Sequence, residues 1–247
     1  MKALAHVEFQ NVSFAYGERE VLGQLNFRVE TGSVVCIIGR SGCGKTTLLK
    51  LISGQLLAQC GEVLIKGRAL RGFSKRELCD YRKHMGYLFQ QGALFTDLSV
   101  EENVAFVLRE HTRQPEEVIR AKVKESLRSV DLVDAGNLYP SELSGGMIKR
   151  VALARATILK PDLLLYDEPF SGLDPITVKK IAQLIIQTNQ KLRVTAIIVT
   201  HELGVALSLA DQILLLTSRG IVFNGKVDYL KHSPLTEVHE FLDAAGL

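Results

Sequence analysis

Residues 39–47 read Gly-Arg-Ser-Gly-Cys-Gly-Lys-Thr-Thr, and this spacing of glycine, lysine and threonine suits the binding of a chain of phosphates. The backbone of such a loop must point its N–H groups at phosphate oxygens, and side chains at Gly39, Gly42 and Gly44 would block that approach. Lys45 adds a positive charge for the β- and γ-phosphates. This stretch, the phosphate loop, therefore predicts a site for a nucleoside triphosphate.

The flanks of the phosphate loop support this interpretation. The apolar run Val34–Ile38 favours a buried parallel strand before the loop, and Thr46–Leu57 has a helical pattern after it. The loop then lies at a helix N-terminus, where the helix dipole favours anions. The Thr46 hydroxyl also suits Mg²⁺. The other loop residues that we expect at the nucleotide are Arg40, Ser41, Cys43 and Thr47.

A pair of carboxylates follows a second apolar run. Leu163–Tyr166 favours a buried strand that delivers Asp167 and Glu168 at its C-terminal end, where α/β sheets place their ligands. Asp167 can hold Mg²⁺ through water, and Glu168 can act on the attacking water as general base. The pair predicts hydrolysis of the bound triphosphate.

A second glycine-rich stretch, the signature segment Leu143–Met147, reads Leu-Ser-Gly-Gly-Met. A helix is predicted to begin after Ser144 and to run through Met147–Leu159, ending before Pro161. Ser144 suits the N-cap of that helix, and Gly145 and Gly146 leave its first N–H groups accessible. The segment therefore predicts another anion site at a helix N-terminus.

The three motifs, in this order, resemble those of the ATP-binding cassette (ABC) ATPases, whose signature is Leu-Ser-Gly-Gly, usually followed by Gln. The resemblance implies that Ser144, Gly145 and Gly146 cannot reach the phosphate loop of their own chain. They would contact the γ-phosphate held by a second copy, so that two chains enclose two ATP molecules. Met147 departs from the usual Gln, and we expect reduced tuning with activity retained.

The same resemblance implies roles for four residues outside these motifs. Tyr16 is similar to the aromatic residue that stacks on adenine, and Gln90 to the glutamine that contacts Mg²⁺ and water. Asp174 closes a Ser-Gly-Leu-Asp sequence like the loop that crosses the dimer interface. His201 is similar to the histidine that contacts the γ-phosphate and orients the water. The implied catalytic residues are Glu168, His201, Lys45 and Gln90, and the implied Mg²⁺ ligands are Thr46, Gln90 and Asp167.

A more particular resemblance lies in residues 89–112, which are similar to the ATPases of Mla-type (toluene-tolerance) phospholipid transporters. Met147 also fits that group. The resemblance implies that the chain powers phospholipid transport between bacterial membranes, at the cytoplasmic face of the inner membrane. It implies as partners a membrane permease, a periplasmic lipid-binding subunit and a small cytoplasmic STAS-type subunit.

Two other functions remain open from the residues. The core motifs also fit the ATPase of an importer for amino acids or another small solute, and only residues 91–112 argue against it. The chain is also short enough for a soluble ABC ATPase that moves no solute, such as an iron–sulfur assembly ATPase. Co-purification with a membrane permease would separate that alternative from the transporters.

The elements that must position these residues predict an α/β fold. Apolar strands alternate with helices, which indicates parallel βαβ units. We expect one ABC ATPase domain over residues 1–247. Its core would span about 1–90 and 161–230 and include an N-terminal antiparallel β subdomain, and its helical subdomain would span about 91–160. A tail helix is expected over about 234–245, packed either on its own core or on a neighbouring chain.

Composition excludes several other classes. A chain of 247 residues with 47% hydrophobic residues can bury a large core, and a net charge of +3 gives no argument for a nucleic-acid partner. No apolar run approaches the ~18 residues of a membrane span. The N-terminus lacks a secretory pattern. The four cysteines show no C-x-x-C spacing, which favours a reduced cytosolic protein.

Overall fold

The computed structural model describes residues 5–218, 220–230 and 232–244. The strands are β1 (Ala5–Tyr16), β2 (Arg19–Glu30), β3 (Val34–Ile38), β4 (Cys60–Ile65), β5 (Arg68–Ala69), β6 (Met85–Leu88), β7 (Leu163–Asp167), β8 (Thr195–Thr200), β9 (Gln212–Thr217) and β10 (Gly220–Gly225). The α-helices are α1 (Lys45–Ile52), α2 (Lys75–Lys83), α3 (Val100–His111), α4 (Glu116–Ser129), α5 (Gly145–Thr157), α6 (Pro175–Leu192), α7 (Leu203–Leu209), α8 (Val227–Leu230) and α9 (Thr236–Ala244).

These elements form two compact units. The first unit comprises the described residues up to Asp80 together with those from Val194 onward, and the second comprises Tyr81–Arg193. The predicted α/β class, with an antiparallel β subdomain, parallel strands and helices, is confirmed.

An antiparallel sheet of order β2-β1-β4-β5 forms one layer of the first unit. In β1, Val7, Phe9, Val12 and Phe14 are buried while Gln10 and Asn11 are exposed. Within each half of β1 these buried side chains recur at every second residue, as expected of a strand with one face on the core. The two consecutive exposed residues lie at a shift in the register with β2 between Phe9 and Val12.

Parallel strands in the first unit hold the strand that leads into the phosphate loop. β3 lies between β8 and β9 and pairs in parallel with both, while β10 pairs antiparallel with β9. Val35–Ile38 are fully buried, as are Ala196–Val199 of β8. A strand covered on both faces reads as a continuous apolar run, which is why Val34–Ile38 was recognisable in the sequence.

The second unit combines four helices with the parallel pair of β6 and β7. α3 and α4 pack on α5, and α5 also packs on β6. Ser99 caps α3 through a capping box with Glu102, whose carboxylate accepts from the Ser99 N–H. Pro115 stands at the N-cap of α4.

The helix after the phosphate loop is shorter than predicted. It ends at Ile52, not at Leu57, because Gly54 adopts a left-handed conformation with φ of 67°. The N–H of Gln55 donates to the carbonyl oxygen of Lys50 at 2.9 Å, and that of Gly54 to Leu51 at 3.2 Å. This pair of hydrogen bonds is a Schellman motif, which terminates a helix.

The predicted tail helix is α9, and its residue Ala245 lies outside the described part of the chain. Val238 and Leu242 are buried and α9 packs against β10 of its own chain. The apolar face of the tail therefore packs on its own core, and contact of the tail with a neighbouring chain stays a prediction. Among the helices that the structure describes, none combines the length and apolar character required to cross a membrane.

Candidate functional site

The phosphate loop joins the end of β3 to the start of α1, as its flanks predict. A Cβ atom on Gly39 would lie 2.2 Å from the carbonyl oxygen of Leu216, too close for any other residue. Gly42 and Gly44 have φ angles of 80° and 102°, which disfavour side chains, and a Cβ on Gly44 would lie 2.6 Å from Leu22 Cδ2. The path of the loop therefore requires these glycines.

Lys45 opens α1 and is only 6% exposed. Its ammonium group donates to the carbonyl oxygens of Gly39 at 2.9 Å and Arg40 at 3.3 Å. Gly44 offers no side-chain acceptor to the first turn of α1, and that turn holds no acidic residue. The positive end of the helix dipole and the ammonium charge thus act on the same loop, an arrangement that favours anions.

The remaining loop residues divide by exposure. Arg40, Ser41 and Thr46 are exposed, whereas Cys43 and Thr47 are buried. The N–H of Cys43 donates to the carbonyl oxygen of Arg40 at 3.3 Å, which closes a turn in the loop. The side chains that reach solvent are therefore those of Arg40, Ser41 and Thr46, while Cys43 and Thr47 support the loop from inside.

Two aromatic residues predicted at the nucleotide also belong to the first unit. Tyr16 at the end of β1 is 47% exposed and meets Phe14 edge to face, with ring centroids 4.9 Å apart. His201 follows β8, and its Nε2 atom lies 3.6 Å from Glu202 Oε1. The Thr200 hydroxyl accepts from the N–H of Glu202 at 3.0 Å and fixes this turn.

The carboxylate pair belongs to the second unit. Asp167 ends β7 and Glu168 follows it, and both are buried. Glu168 has a φ of 47°, an uncommon conformation for a residue with a side chain. The Tyr87 hydroxyl on β6 lies 3.5 Å from Asp167 Oδ2. Burial, followed by the charge of Asp167, raises the pKa of Tyr87, so the phenol stays protonated.

Lys149 on α5 is a residue of this site that the sequence analysis did not find. It is 4% exposed, and its ammonium group donates to the carbonyl oxygens of Gln90 and, at 3.3 Å, Glu168. Burial lowers the pKa of Lys149, and the carboxylates of Glu168 and Asp167 oppose that shift. One signal was available: Lys149 precedes the buried Leu153 by four residues, which puts a charged residue on the buried face of the helix.

Gln90 extends this group. It follows β6 by two residues, and its side-chain Nε2 donates to Ser171 Oγ at 3.4 Å. The second unit thus brings together the predicted Gln90, Asp167 and Glu168, with Tyr87 and Lys149 added by the structure.

The signature segment begins α5 as predicted. Ser144 is the N-cap, and its hydroxyl accepts from the N–H of Met147 at 3.3 Å. Ser144 and Gly145 are exposed, but Gly146 is buried, and a Cβ on it would lie 2.7 Å from Thr177 Cγ2. Close packing against α6 therefore explains Gly146 without a ligand.

Asp174 is the N-cap of α6. Its carboxylate accepts from the N–H groups of Ile176 at 3.0 Å and Thr177 at 3.1 Å, and from the Thr177 hydroxyl at 2.5 Å. The hydrogen bonds from Thr177 contribute most to lowering the pKa of Asp174. The side chain is therefore an ionised helix cap.

Comparisons with known proteins agree on one family. The sequence model of the family described as ABC transporter matches residues 22–171. The chain is 47% identical to the intermembrane phospholipid transport system ATP-binding protein MlaF of Haemophilus influenzae, over 96% of this chain and 89% of the relative. It is 44% identical to the MlaF protein of Escherichia coli K12, over 96% of this chain and 88% of the relative.

More distant relatives and solved structures extend this similarity. The chain is 37% identical, over 96% of its length and 68% of the relative, to a probable ribonucleotide transport ATP-binding protein, mkl, of Mycobacterium leprae. A dimeric post-hydrolysis structure of the ATP-binding cassette MJ0796, bound to ADP and Pi, has 32% identity and a TM-score of 0.81, covering 90% of this chain and 98% of that chain. The structure of cbiO1 from Clostridium perfringens, part of the transporter complex cbiONQ, has 25% identity and a TM-score of 0.85, covering 97% and 99%.

Proposed function

The chain belongs to the ABC transporter family, and we propose that it is the ATP-hydrolysing subunit of a transporter that moves phospholipids between bacterial membranes. The observation that carries the lipid assignment is the 47% and 44% identity to two phospholipid transport ATP-binding proteins along 96% of the chain. The relative named for ribonucleotide transport is only 37% identical over the same share.

The first unit supplies the groups that bind the nucleotide in this proposal. The phosphate loop and Lys45 neutralise the phosphates, because a buried ammonium and a helix N-terminus act on the same anions. Tyr16 keeps about half of its surface exposed, so its ring can stack on adenine. His201 orients the attacking water near the γ-phosphate.

The second unit supplies the groups that act on the water. Glu168 is the general base, and its burial keeps the carboxylate in surroundings where a single charge has a large effect. The amide of Gln90 would bind the same water and Mg²⁺. Catalysis then rests on positioning and electrostatics, since phosphoryl transfer asks little covalent chemistry of the protein.

The donor set fits Mg²⁺. The hydroxyl of Thr46, the amide of Gln90 and the carboxylate of Asp167 supply oxygen atoms, the ligands that this hard cation prefers. Within the described residues, no group of three or more His, Cys, Asp or Glu side chains could hold a metal. When bound, Mg²⁺ neutralises charge on the β- and γ-phosphates.

A second copy of the chain completes each site in this proposal. Ser144 and Gly145 are exposed at the start of α5, where they can reach a phosphate bound elsewhere. Asp174, exposed at the start of α6, would lie at the same nucleotide. The solved MJ0796 relatives are dimers.

The wider assembly follows from the lipid assignment. We place the chain at the cytoplasmic face of the inner membrane, attached through a permease. A periplasmic lipid-binding subunit and a small STAS-type cytoplasmic subunit complete the transporter. Each of these partners supplies something that the chain lacks in this proposal: a path through the membrane, a carrier for the lipid, and regulation.

The hydrolytic part of the proposal is tested with Glu168→Gln in the full-length chain. We expect kcat for ATP to fall at least ~100-fold, because the general base is lost, while ATP binding persists and closed dimers accumulate. Glu125→Gln, an exposed carboxylate on α4, serves as the matched control and should leave kcat unchanged. Hydrolysis at the wild-type rate by Glu168→Gln would contradict the base assignment.

The lipid part needs a separate measurement. A tagged chain should retain an integral membrane protein through purification from solubilised membranes, and the complex in vesicles should move fluorescent phospholipid only when ATP is present. ATP hydrolysis by a complex that moves ribonucleotides or amino acids, and no phospholipid, would overturn the substrate assignment. Recovery without any membrane protein would favour a soluble ABC ATPase.

A further inference from the structure

We propose that Lys149 is a positioning residue that holds the backbone of Gln90 and of Glu168 in a fixed relation, so that both side chains address the same water. The proposal rests on the ATPase function above. It concerns neither the nucleotide nor the metal directly, because the Lys149 ammonium group donates to main-chain oxygens of the two segments.

The contacts are specific to one side chain. The Lys149 ammonium group donates to the carbonyl oxygen of Gln90, on the segment after β6, and to that of Glu168, on the segment after β7. These two residues are far apart in sequence. A lysine ammonium has three donors, and two of them join these segments at one point.

The backbone of Glu168 adopts a conformation that must be held by its surroundings. Its φ of 47° is costly for a residue with a side chain, and such conformations persist only where the surroundings hold them. The carbonyl oxygen of Glu168 accepts from Lys149 and from the N–H of Ser171 at 3.2 Å. The direction of the Glu168 carboxylate therefore depends on the ammonium group of Lys149.

Arg155, a second cation on α5, supports a single segment and so differs from Lys149. Arg155 donates to the carbonyl oxygens of Gly92 at 2.7 Å and Ala93 at 2.8 Å, and its guanidinium lies 5.9 Å from the centre of the Phe95 ring. It supports the segment that follows Gln90, and none of these contacts involves Glu168. Arg155 thus holds one segment, whereas Lys149 joins two.

The arrangement has a mechanical consequence. α5 begins at the signature segment and carries Lys149, so one helix links the signature to the segments that hold the base and the glutamine. A displacement of the segment around Gln90 is then transmitted through Lys149 to the backbone of Glu168, beside the hydrogen bond from Gln90 to Ser171. Hydrolysis would respond to whatever moves that segment.

The test compares Lys149→Met, Lys149→Arg and Arg155→Met in the full-length chain. For Lys149→Met we expect kcat for ATP to fall roughly 10- to 100-fold, because small displacements of catalytic groups have effects of this size. KM for ATP should change less than about threefold, since the phosphate loop is untouched. Lys149→Arg keeps the charge and the donors and should recover most of kcat.

Hydrogen–deuterium exchange gives a readout that does not depend on activity. In Lys149→Met, exchange should rise together in residues 89–93 and 168–172. In Arg155→Met it should rise in residues 91–95 alone. Lys149→Gln, which keeps a shorter N–H donor, replaces Lys149→Met in both measurements if the latter fails to fold.

Two results would overturn the inference while the proposed function stands. One is a folded Lys149→Met whose kcat stays within about threefold of wild type. The other is a rise of exchange in only one of the two segments. A wild-type chain that hydrolyses no ATP would instead refute the proposed function, and the exchange measurement would still decide the role of Lys149.

Discussion

Two helices of this protein begin at glycine-rich segments, and they begin differently. α1 follows the phosphate loop with Gly44 as N-cap, no side-chain acceptor and a buried lysine in its first position. α5 follows the signature segment with Ser144 as N-cap, whose hydroxyl already accepts from Met147, and with an exposed Gly145 in its first position.

The difference teaches what each helix start can bind. The start of α1 concentrates positive charge inside a loop of its own chain and can surround a ligand. At the start of α5 the Ser144 hydroxyl accepts from one N–H group of the helix, and Ser144 and Gly145 are exposed, which suits the proposed contact with a phosphate held by another chain. Two glycine-rich helix starts are therefore suited to different uses.

Of the changes to the two helix starts, removal of the Lys45 ammonium group from α1 should have the largest effect on ATP hydrolysis. Lys45→Ala takes a buried ammonium from the loop, and we expect kcat/KM for ATP to fall at least ~100-fold, as for other electrostatic clamps. Nucleotide binding measured by fluorescence and steady-state ATPase assays check this. Lys50→Ala, in the last turn of the same helix, is the control and should behave as wild type.

Adding one methyl group to each helix start should sharpen the contrast. Gly44→Ala places a Cβ in a conformation with φ of 102° and close to Leu22, so it should destabilise the fold by about 1–3 kcal/mol and weaken ATP binding. Gly145→Ala places its Cβ 3.5 Å from Leu173 Cδ2, an ordinary contact. It should leave the thermal midpoint unchanged but lower ATPase turnover at least ~10-fold by obstructing the partner's phosphate.

The two variants can also contradict the proposed difference between the starts of α1 and α5. Thermal unfolding and ATP affinity are measured on the separate chain, and turnover is measured under conditions where dimers form. A Gly145→Ala variant with unchanged turnover would mean that the start of α5 binds no phosphate. A Gly44→Ala variant of normal stability would mean that the loop tolerates a side chain.

The smallest effect is expected at Met147. Met147→Gln restores the residue that usually follows the signature glycines, and a single hydrogen bond contributes about 1 kcal/mol, so turnover should rise no more than about fivefold. Half-burial and a similar side-chain volume leave stability nearly unchanged. A larger change in either direction, measured beside Met85→Gln as control, would assign Met147 a greater role than tuning.

The sequence was most informative where chemistry restricts the residue type. The phosphate loop was predictable because few sequences other than glycine-rich ones can approach a phosphate, and β3 and β7 because strands buried on both faces are apolar throughout. β6 was missed because Gly86 interrupts a short run. The reason for that glycine lies elsewhere in the fold, since a Cβ there would lie 2.2 Å from the carbonyl oxygen of Ala156.

Contacts made through main-chain atoms were the least predictable part. Lys149 binds carbonyl oxygens, which every residue has, so the identity of Gln90 and Glu168 gave no hint of it. Gly146 was interpreted as part of an anion site, yet its burial against Thr177 depends on how α6 lies, which no local pattern contains.

The pairing of β3 has a consequence for folding during synthesis. Val34 pairs with Ala196 of β8 and Val35 with Gln212 of β9, so both neighbours of this strand come from the last quarter of the chain. A ribosome that makes the chain from its N-terminus releases β3 long before these neighbours exist, and such distant pairings form slowly. A chain truncated before β8 therefore lacks both strands that flank β3, and we expect it to hold the phosphate loop poorly.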